Sequence, residues 1–263
     1  MVGAHLLNPV LDISGRVAVV VGGTSGLGRT IALGLADAGV HTVATGRRQE
    51  LVATVSQEIL SRGVRTVGVT SDVQSQDSLD LLNEQVVAEF GGVDILVFAA
   101  GRTFRKPTAE VTAEEWSSLF DTNVTGGLRA AKAFYEPLKA SGRGRIVNIA
   151  SLSSHVAFHE VSAYGASKAA LLALTQSLGC EWAKDGIRTN AIVPGVFVTD
   201  LNRELLNGTA RGRELLARTP LGRFGDASEL VGAVLFLASD GASFITGASL
   251  SIDGGFLASG VNQ

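Results

Sequence analysis

The sequence predicts an α/β fold in which a doubly wound parallel sheet carries helices on both faces. Short apolar runs such as residues 17–21 alternate with longer stretches of helical periodicity along nearly the whole chain. Such runs are typical of strands buried on both faces, and their alternation with helices indicates parallel pairing. A glycine-rich turn at 22–28 joins the first run to the first helix. The 263 residues, 46% of them hydrophobic, suffice for one domain spanning 1–263.

The individual elements follow from changes in the period of the apolar pattern. Apolar runs predict strands at 17–21, 40–45, 66–70, 95–99, 145–150, 189–193 and 250–252. Helical periodicity predicts helices at 28–38, 48–62, 75–90, 113–139, 162–184 and 229–238. Residues 202–220 interrupt this order because they are polar and rich in arginine. We expect them to form a small helical flap, at about 200–220, that closes over a substrate.

Composition narrows the function classes. The net charge is −3 and no long basic stretch occurs, which argues against nucleic-acid binding. No apolar run is long enough to span a bilayer, and the start of the chain does not resemble a signal peptide. The single cysteine, Cys180, excludes an internal disulfide and favours a cytoplasmic location. We expect Cys180 to be buried in its helix, and no metal site is expected.

The turn at 22–28 has the features of a dinucleotide-binding site. It reads Gly-Gly-Thr-Ser-Gly-Leu-Gly between a strand and a helix. Gly22 permits a tight turn, Gly26 lets the backbone approach a phosphate, and Gly28 lets helix and strand pack closely. The free N–H groups at the helix start then face the pyrophosphate. The alternative is a glycine-rich turn without a ligand.

The end of the second strand favours NADP over NAD. An acid commonly binds the ribose hydroxyls of NAD at this place, whereas Arg accommodates a 2′-phosphate. Here Arg47 and Arg48 follow the strand without an acid, and an Arg–phosphate contact is strong. The alternative is that both arginines are solvated at a helix start. Asp72 follows the third strand, where it either bonds an adenine amino group or caps a helix.

Tyr164, Lys168 and Ser151 predict a proton-transfer site. The four-residue spacing of Tyr164 and Lys168 puts both on one helix face. We expect the ammonium to lower the phenol pKa from about 10. Ser151, thirteen residues before Tyr164, would hold a carbonyl or alcohol oxygen beside the phenol. This arrangement interconverts a carbonyl and an alcohol if a cofactor carries the hydride.

Together these residues resemble the short-chain dehydrogenase/reductase family over essentially the whole chain. The matching positions are Gly22, Gly26, Gly28, Asp72, Val73, Asn123, Ser151, Tyr164, Lys168, Pro194, Gly195 and Thr199. The resemblance implies a Rossmann-type fold, a homotetramer and a nicotinamide cofactor. The expected cofactor-binding residues are Gly22, Thr24, Ser25, Gly26, Leu27, Gly28, Arg47, Arg48, Asp72, Val73, Ala99, Gly101, Tyr164, Lys168, Pro194, Gly195, Val196 and Thr199.

The resemblance also implies a role for each catalytic residue. Tyr164 is the expected general acid/base, Ser151 orients the substrate oxygen, and Lys168 binds the nicotinamide ribose. Asn123 is expected to hold a water of the proton relay. The chain departs from the family pattern where Phe98 and Ala99 replace two asparagines that brace the turn beside the adenine ribose.

The segments 101–107, 219–225 and 253–257 resemble those of sugar-acid dehydrogenases such as gluconate 5-dehydrogenases. Arg102 or Arg105 would pair with a substrate carboxylate, unless each braces its loop or faces solvent. His159 would bond a sugar hydroxyl, unless it faces water. We therefore expect an NADP-preferring oxidoreductase that acts on a sugar, a sugar acid or another small polyol. The alternatives are a 3-oxoacyl-thioester reductase and a non-enzymatic dinucleotide sensor.

Overall fold

Six strands form one sheet in the part of the chain that the computed structural model describes, residues 9–198, 206 and 208–260. They are β1 (Val17–Val21), β2 (His41–Thr45), β3 (Ile95–Phe98), β4 (Arg145–Ile149), β5 (Arg188–Pro194) and β6 (Ser249–Ile252). Every pair is parallel and the order is β2-β1-β3-β4-β5-β6. The chain reverses its direction across the sheet between β1 and β3, where ligands of such sheets bind. The predicted doubly wound parallel sheet is confirmed.

Nine α-helices with both ends inside the described residues accompany the strands. They are α1 (Gly26–Asp37), α2 (Gln49–Leu60), α3 (Gln76–Phe90), α4 (Ala113–Phe120), α5 (Gly126–Ala133), α6 (Tyr135–Ala140), α7 (Ser162–Glu181), α8 (Ala210–Ala217) and α9 (Val231–Ala238). No helix in these ranges is both long and apolar enough to cross a membrane.

Alternation along the strands divides the apolar core between the two faces of the sheet. Ala18 and Val20 of β1 pack with α1, α2 and α9, whereas Val19 and Val21 pack with α3, α5 and α7. This two-residue period is the ordinary geometry of a strand covered on both sides. Burial of each of these valine side chains contributes roughly 1.5–3 kcal/mol. The sheet is therefore a rigid support for the loops that leave its carboxyl edge.

Two predicted elements differ in the structure. Residues 66–70 run beside β2, but they are not a strand because ladder bonds form only at the ends of the segment. Thr42 N donates to Arg65 O at 3.1 Å and Ser71 N to Gly46 O at 3.1 Å, while the Thr45 hydroxyl binds Val69 O. The helix predicted at 113–139 is divided into α4, a π-helical turn at Asp121–Thr125, α5 and α6.

The prediction that Cys180 is buried is wrong. Leu171, Thr175 and Leu178 form the buried stripe of α7, at the spacing expected of one helix face. Cys180 lies off that stripe and is exposed.

Candidate active site

A cleft of about 990 Å³ runs along the carboxyl edge of the sheet. Every strand from β1 to β5 delivers residues to it. Gly22 follows β1, Arg47 follows β2, Gly101 follows β3, Ser151 follows β4 and Gly195 follows β5. The cleft therefore spans the point at which the strand order reverses, as the fold predicts.

The glycine turn between β1 and α1 has the geometry that a bound pyrophosphate needs. Gly22 has φ +83°, and a Cβ there would lie 2.5 Å from Ala100 N. A Cβ on Gly28 would overlap Gly22 O, so only glycine allows this helix to approach the turn. Ser25, the N-cap of α1, makes no side-chain cap bond. The first N–H groups of α1 thus remain available to an anion. The turn and the helix start therefore fit the pyrophosphate of a dinucleotide.

Most of the predicted cofactor positions line this cleft together. They are Gly22, Thr24, Ser25, Gly26, Leu27, Gly28, Arg47, Arg48, Asp72, Val73, Ala99, Gly101, Tyr164, Lys168, Pro194, Gly195 and Val196. Thr199 lies outside the described residues. Val196 O accepts a bond from Gly225 N at 2.9 Å, so its carbonyl is already engaged.

Asp72 does not cap the helix that follows it. The N-cap of α3 is Ser75, whose hydroxyl accepts a bond from Ser78 N. Asp72 instead accepts a bond from Gln74 N at 3.0 Å and stays in the cleft wall. The capping alternative is therefore wrong.

The basic pair after β2 lies against the glycine turn. Arg48 Nη2 is 3.5 Å from the Ser25 hydroxyl, which links the end of β2 to the start of α1. Arg47 and Arg48 are both exposed. Among the described residues that line the cleft, six carry cationic side chains and only Asp72 is acidic. Such a cleft favours an anionic ligand.

Tyr164, Lys168 and Ser151 come together at the centre of the cleft. Tyr164 lies in the first turn of α7, and Lys168 Nζ lies 5.8 Å from the centre of its ring. Lys168 is 4% exposed and donates to Ile149 O at 2.7 Å, so the last carbonyl of β4 fixes the ammonium. Ser151 follows two residues later and accepts a bond from Ser153 N at 3.2 Å. Strand β4 thereby positions the lysine and the serine together.

The electrostatics of this centre differ from the prediction. Burial raises the pKa of the Tyr164 phenol above its ordinary value of 10.0, and a hydrogen bond with Ser151 lowers it by less. Burial also lowers the pKa of Lys168 to about 8. The expected lowering of the Tyr164 pKa by Lys168 is therefore wrong in this structure, since burial of the phenol dominates. The phenol is protonated at neutral pH and can donate a proton.

Asn123 lies behind the cleft, fully buried in the π-helical turn at Asp121–Thr125. Its amide forms a reciprocal pair with Arg102, accepting from Arg102 N and donating to Arg102 O, each at 2.9 Å. It also donates to the Ser167 hydroxyl at 3.0 Å. Both amide hydrogens are thus used inside the protein. The side chain of Asn123 clamps the loop after β3 against α7, and π-helical turns of this kind often occur at functional sites.

The three predicted substrate residues have different surroundings. Arg102 lines the cleft and donates to the Ser118 hydroxyl at 3.0 Å. Arg105 also lines it, but it forms an ion pair with Glu160 at 2.7 Å. His159 is 80% exposed in its side chain and lies outside the cleft lining. The structure thus supports the alternatives considered for Arg105 and His159, a loop brace and a solvent-facing side chain.

Several cleft residues were missed by the sequence analysis. Phe104, Phe158 and Phe197 provide apolar wall, and Arg211 contributes a further cation from α8. A loop phenylalanine carries no signal of its own in a single sequence. Arg211 belongs to the arginine-rich segment predicted as a flap. The arginine content of that segment was a sequence signal that could have identified Arg211 as a cleft residue. Helix α8 confirms the helical prediction for the described part of that segment.

Known proteins resemble this chain in sequence and in structure. Residues 21–257 match a family model described as Enoyl-(Acyl carrier protein) reductase. A 2-dehydro-3-deoxy-D-gluconate 5-dehydrogenase of Escherichia coli is 36% identical over 248 residues, covering 94% of this chain and 97% of the relative. A tropinone reductase homologue of Arabidopsis thaliana is 36% identical over 250 residues, covering 95% of each.

A solved structure extends the likeness to three dimensions. A gluconate 5-dehydrogenase from Burkholderia cenocepacia, in complex with NADP and tartrate, superposes with a TM-score of 0.91 at 35% identity. The match covers 95% of this chain and 98% of that one. The relatives match nearly the whole chain and share its fold. This chain also places a proton-transfer centre beside a glycine turn. The chain belongs to the short-chain dehydrogenase/reductase family and is an NAD(P)-dependent oxidoreductase that acts on an alcohol or its ketone.

Proposed function

We propose that this protein interconverts a secondary alcohol and a ketone on a small sugar acid and prefers NADP(H) to NAD(H). One observation carries the proposal: the Ser151–Tyr164–Lys168 centre shares a cationic cleft with a phosphate-binding turn. A nicotinamide dinucleotide, when bound, supplies the hydride. The chain itself supplies position, an oxygen-binding hydroxyl and a proton donor.

The proton chemistry follows from the groups at the centre. In the reductive direction Ser151 holds the carbonyl oxygen while the protonated Tyr164 donates to it. The raised pKa of Tyr164 favours this direction at neutral pH. Alcohol oxidation requires the phenolate, so its rate rises with pH. Lys168 binds the nicotinamide ribose.

The preference for NADP rests on the position of Arg48. Its guanidinium, 3.5 Å from the Ser25 hydroxyl, lies beside the glycine turn where the adenosine ribose is expected. Both Arg47 and Arg48 are exposed and available to a 2′-phosphate. The relative from Burkholderia cenocepacia was solved with NADP, which supports the same preference.

The substrate class rests on the charge of the cleft and on the names of relatives. Two relatives, from Escherichia coli and from Gluconobacter oxydans, are a 2-dehydro-3-deoxy-D-gluconate 5-dehydrogenase and a gluconate 5-dehydrogenase. Beyond the basic pair that serves the cofactor, the cleft holds Arg102, Arg105 and Arg211. A carboxylate on the substrate matches this excess of positive charge.

A thioester reductase is the second candidate, because the matching family model carries the name of an acyl-carrier-protein reductase. Initial rates with D-gluconate, 2-dehydro-3-deoxy-D-gluconate, D-sorbitol and acetoacetyl thioesters, each with NADP(H) and NAD(H), separate the two. We expect turnover of a sugar acid with the higher kcat/KM for NADP(H). Turnover of the thioester alone would overturn the proposal.

We further propose one domain, a cytoplasmic location and a homotetramer. The exposed face of α7, with Ala173, Gln176, Ser177 and Cys180, is available to a partner helix. Sedimentation velocity measures the oligomeric state directly. A monomer at micromolar concentration would contradict the tetramer without affecting the proposed chemistry.

A further inference from the structure

We propose that Arg211 binds the carboxylate of the substrate, an inference that rests on the proposed function. Sequence reasoning placed this role on Arg102 or Arg105. The structure offers a third cation in the lining of the same cleft, on α8. Four observations distinguish Arg211. The other cations near the catalytic centre are bound to protein groups, whereas Arg211 has no partner among the described residues. The helix that carries Arg211 is packed against the core, and it lies away from Arg47 and Arg48.

The other cations near the catalytic centre are engaged within the protein. Arg105 forms its ion pair with Glu160 at 2.7 Å, and Lys168 donates to Ile149 O at 2.7 Å. Arg102 donates through its side chain to the Ser118 hydroxyl at 3.0 Å, which turns the guanidinium toward α4. An incoming carboxylate would have to compete with each of these partners. Such competition subtracts from the affinity that a new ion pair provides.

Arg211 is the cation near the catalytic centre for which the described residues provide no partner. It lines the cleft and is half-buried, yet it makes no hydrogen bond or ion pair with any described residue. The first turn of α8 contains no acidic residue to neutralise it. An anionic ligand would give this half-buried guanidinium the counter-charge that the described residues do not provide. Its planar fork also suits bidentate binding of a carboxylate.

The support of Arg211 is fixed relative to the catalytic serine. Thr209 caps α8 by accepting from Gly212 N at 2.9 Å. Leu215 of α8 packs in one apolar cluster with Ala150 and Leu152, the neighbours of Ser151. A shared core of this kind fixes the backbone of α8 relative to the loop that carries the serine. That property is required of a residue that orients a substrate for hydride transfer.

Arg211 is also too far along the sheet to serve the adenosine phosphate. Arg47 and Arg48 follow β2, at one edge, whereas α8 follows β5, four strands away in the order β2-β1-β3-β4-β5. At about 4.8 Å per strand, the ends of β2 and β5 are roughly 19 Å apart. The two groups of arginines therefore meet opposite ends of the bound reactants.

The chain offers a matched control two residues along the same helix. Arg213 is exposed, lies outside the cleft lining and donates to Gly208 O at 2.9 Å. Arg213→Ala thus removes the same charge from the same helix without touching the cleft. Arg211→Lys keeps the charge of Arg211 but loses the planar fork, so it reports on bidentate geometry.

The test is calorimetric titration of NADPH-saturated protein with D-gluconate, and separately with D-sorbitol as its neutral match. NADPH with an alcohol forms a dead-end complex, so binding is measured without reaction. We expect Arg211→Ala to weaken D-gluconate binding at least tenfold, Arg211→Lys to weaken it less, and Arg213→Ala to leave it unchanged. D-Sorbitol binding and the Kd for NADPH should stay within about twofold of wild type in all variants.

Three results would overturn the assignment. If wild type binds D-gluconate more tightly than D-sorbitol and Arg211→Ala preserves that difference, the inference fails while the proposed function stands. If Arg211→Ala weakens NADPH or D-sorbitol binding equally, the residue is structural or serves the cofactor. If wild type neither prefers D-gluconate to D-sorbitol nor turns over a sugar acid, the proposed function fails and the inference fails with it.

Discussion

The dinucleotide half and the substrate half of the cleft are built in different ways. The dinucleotide half, residues 22–28 with 46–48, depends on backbone shape: Gly22 and Gly26 adopt positive φ at no steric cost. The substrate half, residues 102–107 and 155–161 with α8, depends on side chains that meet across the fold. There the positive φ belongs to Glu160, at +64°, the one non-glycine with that geometry among the described residues. One half is specified locally and the other by tertiary contacts.

The largest expected effect lies where the halves meet. We propose that Tyr164 contacts both reactants, but its proton serves only the substrate half. Tyr164→Phe should lower kcat about 1,000-fold, because positioned acids of this kind contribute 10²–10⁴. The Kd for NADPH should change less than about twofold, since the glycine turn is untouched. Steady-state kinetics and NADPH fluorescence titration measure the two quantities.

The other tyrosine of the chain is the control for this variant. Tyr135 donates to Asp185 at 2.9 Å, outside the cleft lining. Tyr135→Phe should leave kcat within about twofold of wild type. A Tyr164→Phe enzyme that retains a tenth of the wild-type kcat would remove the proton-donor role.

The next largest effect breaks the dinucleotide half alone. Gly22→Ala forces a Cβ to within 2.5 Å of Ala100 N at φ +83°, so the turn must move. We expect a loss of about 2–4 kcal/mol in the free energy of unfolding, from the left-handed conformation together with overpacking. NADPH affinity should fall at least tenfold, as calorimetry would record. Gly26→Ala is the matched variant for stability, because in the free protein its Cβ meets nothing within 4 Å and only the φ of +51° opposes it.

This difference explains how much the sequence could predict. The strands, most helices and the turn at 22–28 follow from local pattern, because glycine spacing and apolar period are properties of neighbouring residues. The division of the helix predicted at 113–139 was not foreseen, since the π-helical turn depends on Asn123 reaching Arg102 and Ser167. The pairing of Arg105 with Glu160 joins residues 55 positions apart. No local sequence pattern predicts such a contact. Arg105 was therefore predicted as a substrate residue although it is paired with Glu160.

A pH series tests the cost of burying the lysine between the two halves. The pKa of Lys168 is about 8 when folded, against 10.5 for the model side chain. Below pH 8 the group is protonated in both states and its cost is constant. Between about pH 8 and 10.5 the unfolded chain binds more protons, so this group raises stability as pH rises. Relative to Lys168→Met, wild type should gain about 2 kcal/mol from pH 7 to pH 10.

Urea unfolding at each pH measures that difference, and subtracting the variant removes titrations common to both proteins. A difference that is flat or falls with pH would mean that the ammonium is well solvated or well paired. The same variant should lose turnover, because Lys168 is also proposed to bind the ribose.

A smaller effect concerns the cofactor choice in the dinucleotide half. Arg48→Glu replaces the cation proposed to bind the 2′-phosphate by a repelling charge beside Ser25. Charge-assisted bonds contribute about 1.5–3 kcal/mol, so the ratio of kcat/KM for NADP to that for NAD should fall about 10- to 100-fold. Lys132→Glu, an exposed position on α5 outside the cleft lining, makes the same charge change and should leave the ratio unaltered. An unchanged ratio for Arg48→Glu would place the 2′-phosphate elsewhere.

The smallest expected effect concerns Glu160, the residue of the substrate half that has a positive φ. Glu160 joins the two loops twice, through its ion pair with Arg105 and through its carbonyl, which accepts from Lys106 N at 2.8 Å. Glu160→Gln keeps the backbone strain and loses a half-exposed ion pair, so it should cost less than about 1 kcal/mol. Glu160→Gly loses the same pair but relieves the positive φ, for which about 1 kcal/mol is typical. Glycine also raises the conformational entropy of the unfolded chain, which offsets part of this gain. The glycine variant should still be the more stable of the two by thermal unfolding. If Glu160→Gly melts below Glu160→Gln, the positive φ is not strained, and the contrast between the halves reduces to side-chain contacts alone.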